Sequence, residues 1–172
     1  ERVCGICSHI HTLSFALGTE KLAKVVAPPR AQAIRVLTPE LERLHSHMLW
    51  LGVAAHEGGF DTLFMYSWRD RETVMDLLEQ MTGNRVNYSI NIIGGVKQDV
   101  NDEIKTAILK GMDFLEGRMT HYLTVVTTDE TFLGRTRDVG VMTRKQAETL
   151  APVGPTARAS GVPIDVRVDS PY

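Results

Sequence analysis

Between Pro29 and Glu57 the apolar residues Ala31, Ile34, Leu37, Leu41, Leu44, Met48 and Leu51 recur every three or four positions. That spacing is one face of an α-helix, and a strand cannot present it on one side. A run of this length commits the chain to packing helix against helix. Pro39 lies inside it and is expected to kink the helix or divide it in two, with Thr38 capping the second piece. Gly58-Gly59 marks its end.

The same reading extends to the rest of the chain. A first helix is expected over 8–25, with Ile10, Leu13, Leu17 and Leu22 on its buried side, before Ala27-Pro28-Pro29 breaks it. A third fits Asp61 to Met81, closed by Gly83-Asn84. A fourth follows Asn101, with Ile104, Ile108, Met112, Leu115, Met119 and Leu123 as its stripe. Asp129 to Leu133 and Thr143 to Leu150 are shorter candidates, and from Ala151 the glycines and prolines predict irregular chain. The segment 85–96 is richer in β-branched residues and holds Gly94-Gly95, which predicts an extended connection or short strand. The expected class is mainly α: a helical bundle with long connections and a short extended segment near 85–96. No repeat or boundary divides it, so a single domain over 1–172 is expected.

Composition narrows the function. With 43% hydrophobic and 23% charged residues the chain has the balance of a globular domain. A net charge of −2 gives no electrostatic case for nucleic acid or anionic lipid. No run of about 18 uncharged apolar residues occurs to span a bilayer. The two cysteines stand three apart, so they form no long-range disulfide framework; a reducing compartment with thiols kept for metal or redox work is the expectation. The first residue is Glu1, not methionine, and a ligand motif follows at once, which suggests an internal piece of a longer protein.

That motif is Glu1-Arg2-Val3-Cys4-Gly5-Ile6-Cys7-Ser8-His9-Ile10-His11. Residues three apart at the mouth of a helix can aim both sulfurs at one point, with Gly5 allowing a tight turn. The free N–H groups there favour thiolate, which suits zinc, iron–sulfur clusters, copper(I) or nickel. His11 lies one helical turn beyond Cys7 and can reach the same centre, whereas His9 points elsewhere once the helix has begun. Thiol–disulfide exchange and a merely structural pair remain alternatives, although exchange needs a preceding strand that is not predicted. A structural zinc site needs four closed ligands, which Cys4, Cys7, His9 and His11 supply only on an unhelical backbone.

Arg2-Val3-Cys4-Gly5-Ile6-Cys7-Ser8-His9-Ile10-His11 resembles the first cysteine motif of nickel–iron hydrogenase large subunits, Arg-x-Cys-Gly-x-Cys-x-x-x-His. Pro29-Arg30-Ala31, Ile34-Arg35-Val36-Leu37, Glu40-Leu41-Glu42-Arg43 and His45-Ser46-His47 resemble the same family. So do Trp68-Arg69-Asp70-Arg71-Glu72, Thr82-Gly83-Asn84-Arg85, Ile93-Gly94-Gly95-Val96, Arg158-Ala159-Ser160-Gly161-Val162 and Asp165-Val166-Arg167. The likeness points to the energy-converting, membrane-associated branch, which is similar to the quinone-site subunit of respiratory complex I. It implies that Cys4 is a terminal nickel ligand, Cys7 a sulfur bridging nickel and iron, and His11 a hydrogen-bond donor to that bridge. Glu1, three before Cys4, is a candidate proton carrier.

The family's second pair, Asp-Pro-Cys-x-x-Cys, is absent, so this chain offers half the thiolates of a nickel–iron centre. The fragment is expected to be inactive by itself and to hold no metal or only adventitious metal. The implied partners are an iron–sulfur small subunit and membrane subunits. The implied location is cytoplasmic, peripheral on the inner face of the cell membrane. Alternatives are a complex I-like quinone-binding or NADH dehydrogenase-like module with vestigial cysteines, and a small zinc-stabilised domain. Elsewhere, His45 and His47 sit about 200° apart around a helix and read as structural, and His56-Glu57 reads as surface. The methionines of the fourth helix read as core, and Trp68 to Glu72 as an exposed ion-pair network or a subunit contact. Arg158 and Arg167 read as lining the path to the site or holding the small subunit.

Overall fold

The structure is a computed structural model, described here for residues 3–170. Glu1 lies outside the described residues. The element order is α1 (Ser8–Ala23), α2 (Pro29–Glu57), α3 (Asp61–Thr82), β1 (Asn91–Ile92), β2 (Gly95–Val96), α4 (Asp102–Thr128), α5 (Glu130–Thr136), α6 (Arg144–Leu150), α7 (Pro155–Ala159) and α8 (Val166–Asp169). The fold is mainly α, as the apolar spacing requires.

Local chemistry sets the helix limits. Pro29 occupies the first turn of α2, where its missing N–H costs nothing. Asn101 caps α4 by accepting the Ile104 N–H at 2.8 Å. Contrary to expectation, α2 runs undivided through Pro39. Thr38 does not cap a second helix; its hydroxyl donates to the Ile34 carbonyl at 2.9 Å. The proline removes one helical hydrogen bond, and apolar residues packed on both sides of it hold the helix together.

The chain forms two compact units, one ending at Phe132 and the other beginning at Leu133. In the first, Leu41 and Met48 of α2, Val74, Leu77, Leu78 and Met81 of α3, and Ile108 and Leu115 of α4 make the main core. Ala55, Leu63 and Tyr122 make a smaller one. Gly111 lets α4 approach α3 closely, since a Cβ there would stand 2.8 Å from Leu77 Cδ1. In the second unit Ala147 and Ala157 are buried. After Ala151 the chain is not wholly irregular, because α7 and α8 form there. Asp165 caps α8 through the Arg167 N–H at 3.1 Å and pairs with the Arg167 side chain at 2.7 Å.

Two expected stripes are corrected. Helix α1 buries Ser8, His9, Leu13, Ala16 and Glu20, while Leu17 and Leu22 are exposed. On α4, Leu123 is exposed and its neighbour Tyr122 is buried. There the hydroxyl of Tyr122 has a buried polar partner in Asp70, and that match overrides apolar periodicity.

The extended segment is a minimal antiparallel hairpin, with Asn91 opposite Val96 and Ile92 opposite Gly95. Gly94 turns it at φ 85°, a conformation that favours glycine. Arg35 fastens the hairpin: Nη2 donates to the Ile92 carbonyl at 2.7 Å and to the Gly95 carbonyl at 2.9 Å. The same guanidinium meets Glu20 of α1 at 2.6 and 2.9 Å, both side chains being buried. Glu20 in turn accepts the Gly94 N–H at 2.7 Å.

Candidate functional site

The cysteine turn precedes α1, with Cys7 in the N-cap position. Its side chain forms no cap hydrogen bond, so the sulfur is free for other work. The first turn of a helix nevertheless leaves N–H groups needing acceptors. Glu42 of α2 supplies them: its carboxylate accepts the His9 N–H at 2.7 Å and the Ile10 N–H at 3.3 Å. Ser8 adds a tie by donating to the Val86 carbonyl at 2.8 Å.

The two sulfurs are electrostatically unequal. Cys4 Sγ accepts the N–H groups of Ile6 and Cys7 at 3.3 and 3.4 Å. A hydrogen bond from the Cys7 thiol, followed by those amide bonds, holds Cys4 below its ordinary value. Donating to Cys4, together with burial and nearby negative charge, pushes Cys7 up to about 11. Cys7 Sγ lies 3.6 Å from His11 Nε2, so the structure brings together the pair whose spacing predicted a common centre. Both cysteines are half-buried and free, and His11 is exposed.

His9 is turned away and buried. Asn91 Nδ2 stands 3.5 Å from its ring nitrogens and donates to Thr12 at 3.0 Å. Burial lowers His9 to about 4, so it is neutral at physiological pH. The zinc set of Cys4, Cys7, His9 and His11 is therefore not assembled, and no group of three or more metal-binding side chains occurs among the described residues. Gly5 is outside the left-handed region, and a Cβ there would meet Val86 Cγ1 at 3.8 Å, ordinary contact. The tight turn expected of it is not needed. Beside the motif, a cleft of about 630 Å³ is lined by Val3, His11, Thr12, Phe15, Ala16, Asn91, Ile92 and Ile93.

The other singled-out residues separate by burial. His45 is buried; its Nδ1 accepts from Arg71 Nη2 at 3.1 Å. His56 is exposed and pairs with Asp61 at 2.7 Å. Asp70 corrects the reading of Trp68 to Glu72 as an exposed network: it is buried and receives Arg69, Arg118 and Tyr122. Sequence reasoning missed Glu42, Glu20 and Tyr88. The signal for Glu42 was present, since Arg35, Thr38, Glu42 and His45 form a polar stripe at helical spacing along the apolar face of α2.

Residues 57–172 match the family profile described as respiratory-chain NADH dehydrogenase, 49 kDa subunit. The chain belongs to that family. The cysteine turn precedes the matched stretch, but individual relatives align across it. The chain is similar to the membrane-bound hydrogenase subunit alpha of Pyrococcus furiosus, 44% identical over 167 residues, covering 97% of this chain and 39% of that protein. It is 41% identical to NADH-quinone oxidoreductase subunit 4 of Thermus thermophilus over 165 residues, 96% of this chain and 40% of that protein. Its fold matches a chain in the structure of the membrane-bound sulfane sulfur reductase, an archaeal respiratory membrane complex. That match has a TM-score of 0.84 at 30% identity, covering 89% of this chain and 41% of that one. This member of the 49 kDa family thus spans about two-fifths of the relatives it matches. Those relatives are subunits of membrane complexes by name, and no helix among the described residues here is long and apolar enough to cross a membrane.

Proposed function

We propose that this chain is a segment of the catalytic large subunit of an energy-converting nickel–iron hydrogenase. The parent protein oxidises dihydrogen or reduces protons and passes electrons through an iron–sulfur small subunit. Membrane subunits hold it on the cytoplasmic, inner face of the cell membrane. The observation carrying this reading is the Cys4–Cys7–His11 constellation, with Cys7 Sγ 3.6 Å from His11 Nε2, in a chain 44% identical to a membrane-bound hydrogenase subunit.

The donor set fits nickel and iron: two soft sulfurs, half-exposed, on a turn whose amide groups favour a thiolate at Cys4. Cys4 would hold nickel and Cys7 would bridge nickel and iron. The bound centre supplies heterolytic cleavage of dihydrogen. The residues of this chain set the geometry. Glu42 fixes the start of α1, and His11 holds the bridging sulfur from one turn along the helix.

Two thiolates are half the set, so the isolated chain is inactive. Metal analysis of the intact parent is expected to show stoichiometric nickel, lost in C4S and C7S while the protein stays folded. Hydrogen uptake by the isolated chain with bound nickel and iron overturns the claim of inactivity. The family profile and the NADH-quinone oxidoreductase relatives favour a second reading, a quinone-site module without nickel. That reading predicts a nickel-free parent in which C4S and C7S leave activity intact.

A further inference from the structure

Behind the cysteine turn the fold buries polar atoms without partners. Among the described residues, Tyr88 Oη and His45 Nε2 are buried and unpaired. Their side chains have almost no solvent contact, at 2% and 0% exposure. Arg71 can only donate, so His45 Nδ1 is the acceptor of their 3.1 Å bond and the imidazole proton sits on the unpaired Nε2. The His45 ring meets Tyr88 edge-on, with ring centres 6.4 Å apart.

Glu42 stands three residues before His45 on the same side of α2, 4% exposed. Its negative charge acts on Tyr88 and on both cysteines. Its oxygens accept one backbone N–H each, and a carboxylate has about four lone-pair positions, so acceptor capacity remains. Buried donors left without side-chain partners are satisfied by internal water where polar groups converge. Here a free imidazole N–H, a free hydroxyl and a carboxylate with spare lone pairs do converge.

We propose that Glu42 is the proton acceptor serving the cysteine turn, joined by internal water to Tyr88 and His45. This rests on the hydrogenase reading and assigns it a proton-handling residue within the described chain. A proton leaving the turn forms an O–H bond on the Glu42 carboxylate and neutralises it. The Tyr88 hydroxyl and the His45 N–H donate through water to that carboxylate and keep their own protons, so the charge change is confined to one group. Burial already holds Glu42 above the ordinary carboxylate range, against the pull of the His9 and Ile10 amides and nearby His11. Arg71, His9 and His45 are the other titratable or charged groups packed around it, and both imidazoles are neutral near pH 7.

The test uses the intact parent complex and the exchange of D2 with solvent protons, which needs no electron acceptor. E42Q is expected to lower exchange at least tenfold with nickel content unchanged, and E42D to recover part of it. Y88F, which deletes one hydroxyl, is expected to lower it at least twofold, and it decides the matter should E42Q not accumulate. Wild-type exchange in a nickel-replete E42Q or Y88F protein overturns the inference alone. A nickel-free, exchange-silent wild type overturns the hydrogenase reading and this role with it. A high-resolution structure is expected to show water bonded to both Tyr88 Oη and His45 Nε2, and a dry gap there overturns the inference whatever the metal content.

Discussion

Helix α1 and the α2–α3–α4 bundle solve the same problem in opposite ways. The bundle buries leucine, methionine and valine and faces its charges outward. Helix α1 buries Ser8, His9 and Glu20 beside Leu13 and Ala16, and turns Phe15 (72% exposed) and Leu22 (87% exposed) to solvent. What holds it is a pair of carboxylate clamps, Glu42 at its first turn and the Glu20–Arg35 pair near its last. Apolar burial is non-directional and tolerates small adjustments, whereas a clamp fixes a helix in one register at the cost of depending on single charges. The bundle is therefore a scaffold, and α1 is an arm aimed by it.

The largest effect tests the arm. R35A leaves Glu20 buried without its cation, and breaking a buried pair from one side costs about 3–5 kcal/mol. Hydrogen exchange should show α1 and the hairpin losing protection while the bundle amides around Val74 and Leu78 of α3 keep theirs. Uniform loss across all helices would erase the distinction between arm and scaffold. Replacing both partners together, Glu20→Met with Arg35→Met, should cost less than R35A, because no buried charge is then left unpaired. L78A tests the scaffold: Leu78 is fully buried among α2, α3 and α4, and its truncation should cost about 2–5 kcal/mol. A denaturant series should show that loss falling on α2, α3 and α4 alike.

How much of this was legible in the sequence follows the same division. Where burial is apolar, spacing announced it: Leu41, Met48, Ile108 and Leu115 lie where the three-and-four pattern placed them. The Cys7–His11 approach was legible for the same geometric reason, a four-residue step on a helix. Where burial is polar, spacing misled. Leu17 and Leu22 read as core and are exposed, because the partners of Glu20 come from Arg35 and Gly94, far along the chain. Asp70 read as surface for the same reason, its partners Arg118 and Tyr122 lying on α4. Periodicity reports which face is greasy and is silent on which distant charge will meet it.

Acidity offers a smaller, graded test. Burial first, then the Arg71 charge, lowers His45 to about 4, and burial does the same to His9. Unfolded imidazoles titrate near 6.5, so between about pH 4 and 6.5 the unfolded chain binds more protons than the folded one. Stability is complete above pH 6.5 and falls as pH drops through that window, by about 1–3 kcal/mol for each group. Glu42 acts in the opposite sense, since its raised value favours the folded state at low pH and that contribution is lost as pH rises. Thermal unfolding at a series of pH values should show the net decline on acidification, and H45N should flatten it.

The smallest effect is the surface control. His56 and Asp61 make a 2.7 Å contact that matches Glu20–Arg35 in length, yet their side chains are 59% and 74% exposed. Water and salt screen such a pair, and ordering two side chains offsets most of the attraction, leaving about 0–1 kcal/mol. H56A and D61N should therefore leave α1, the cysteine turn and nickel content unchanged, with unfolding midpoints close to the wild type. The difference between the pairs lies in what surrounds them, since one is closed in by α1, α2 and the hairpin and the other faces solvent. A loss in D61N as large as in R35A would mean that distance rather than enclosure decides what a charge pair contributes here, and the case for α1 as a charge-held arm would go with it.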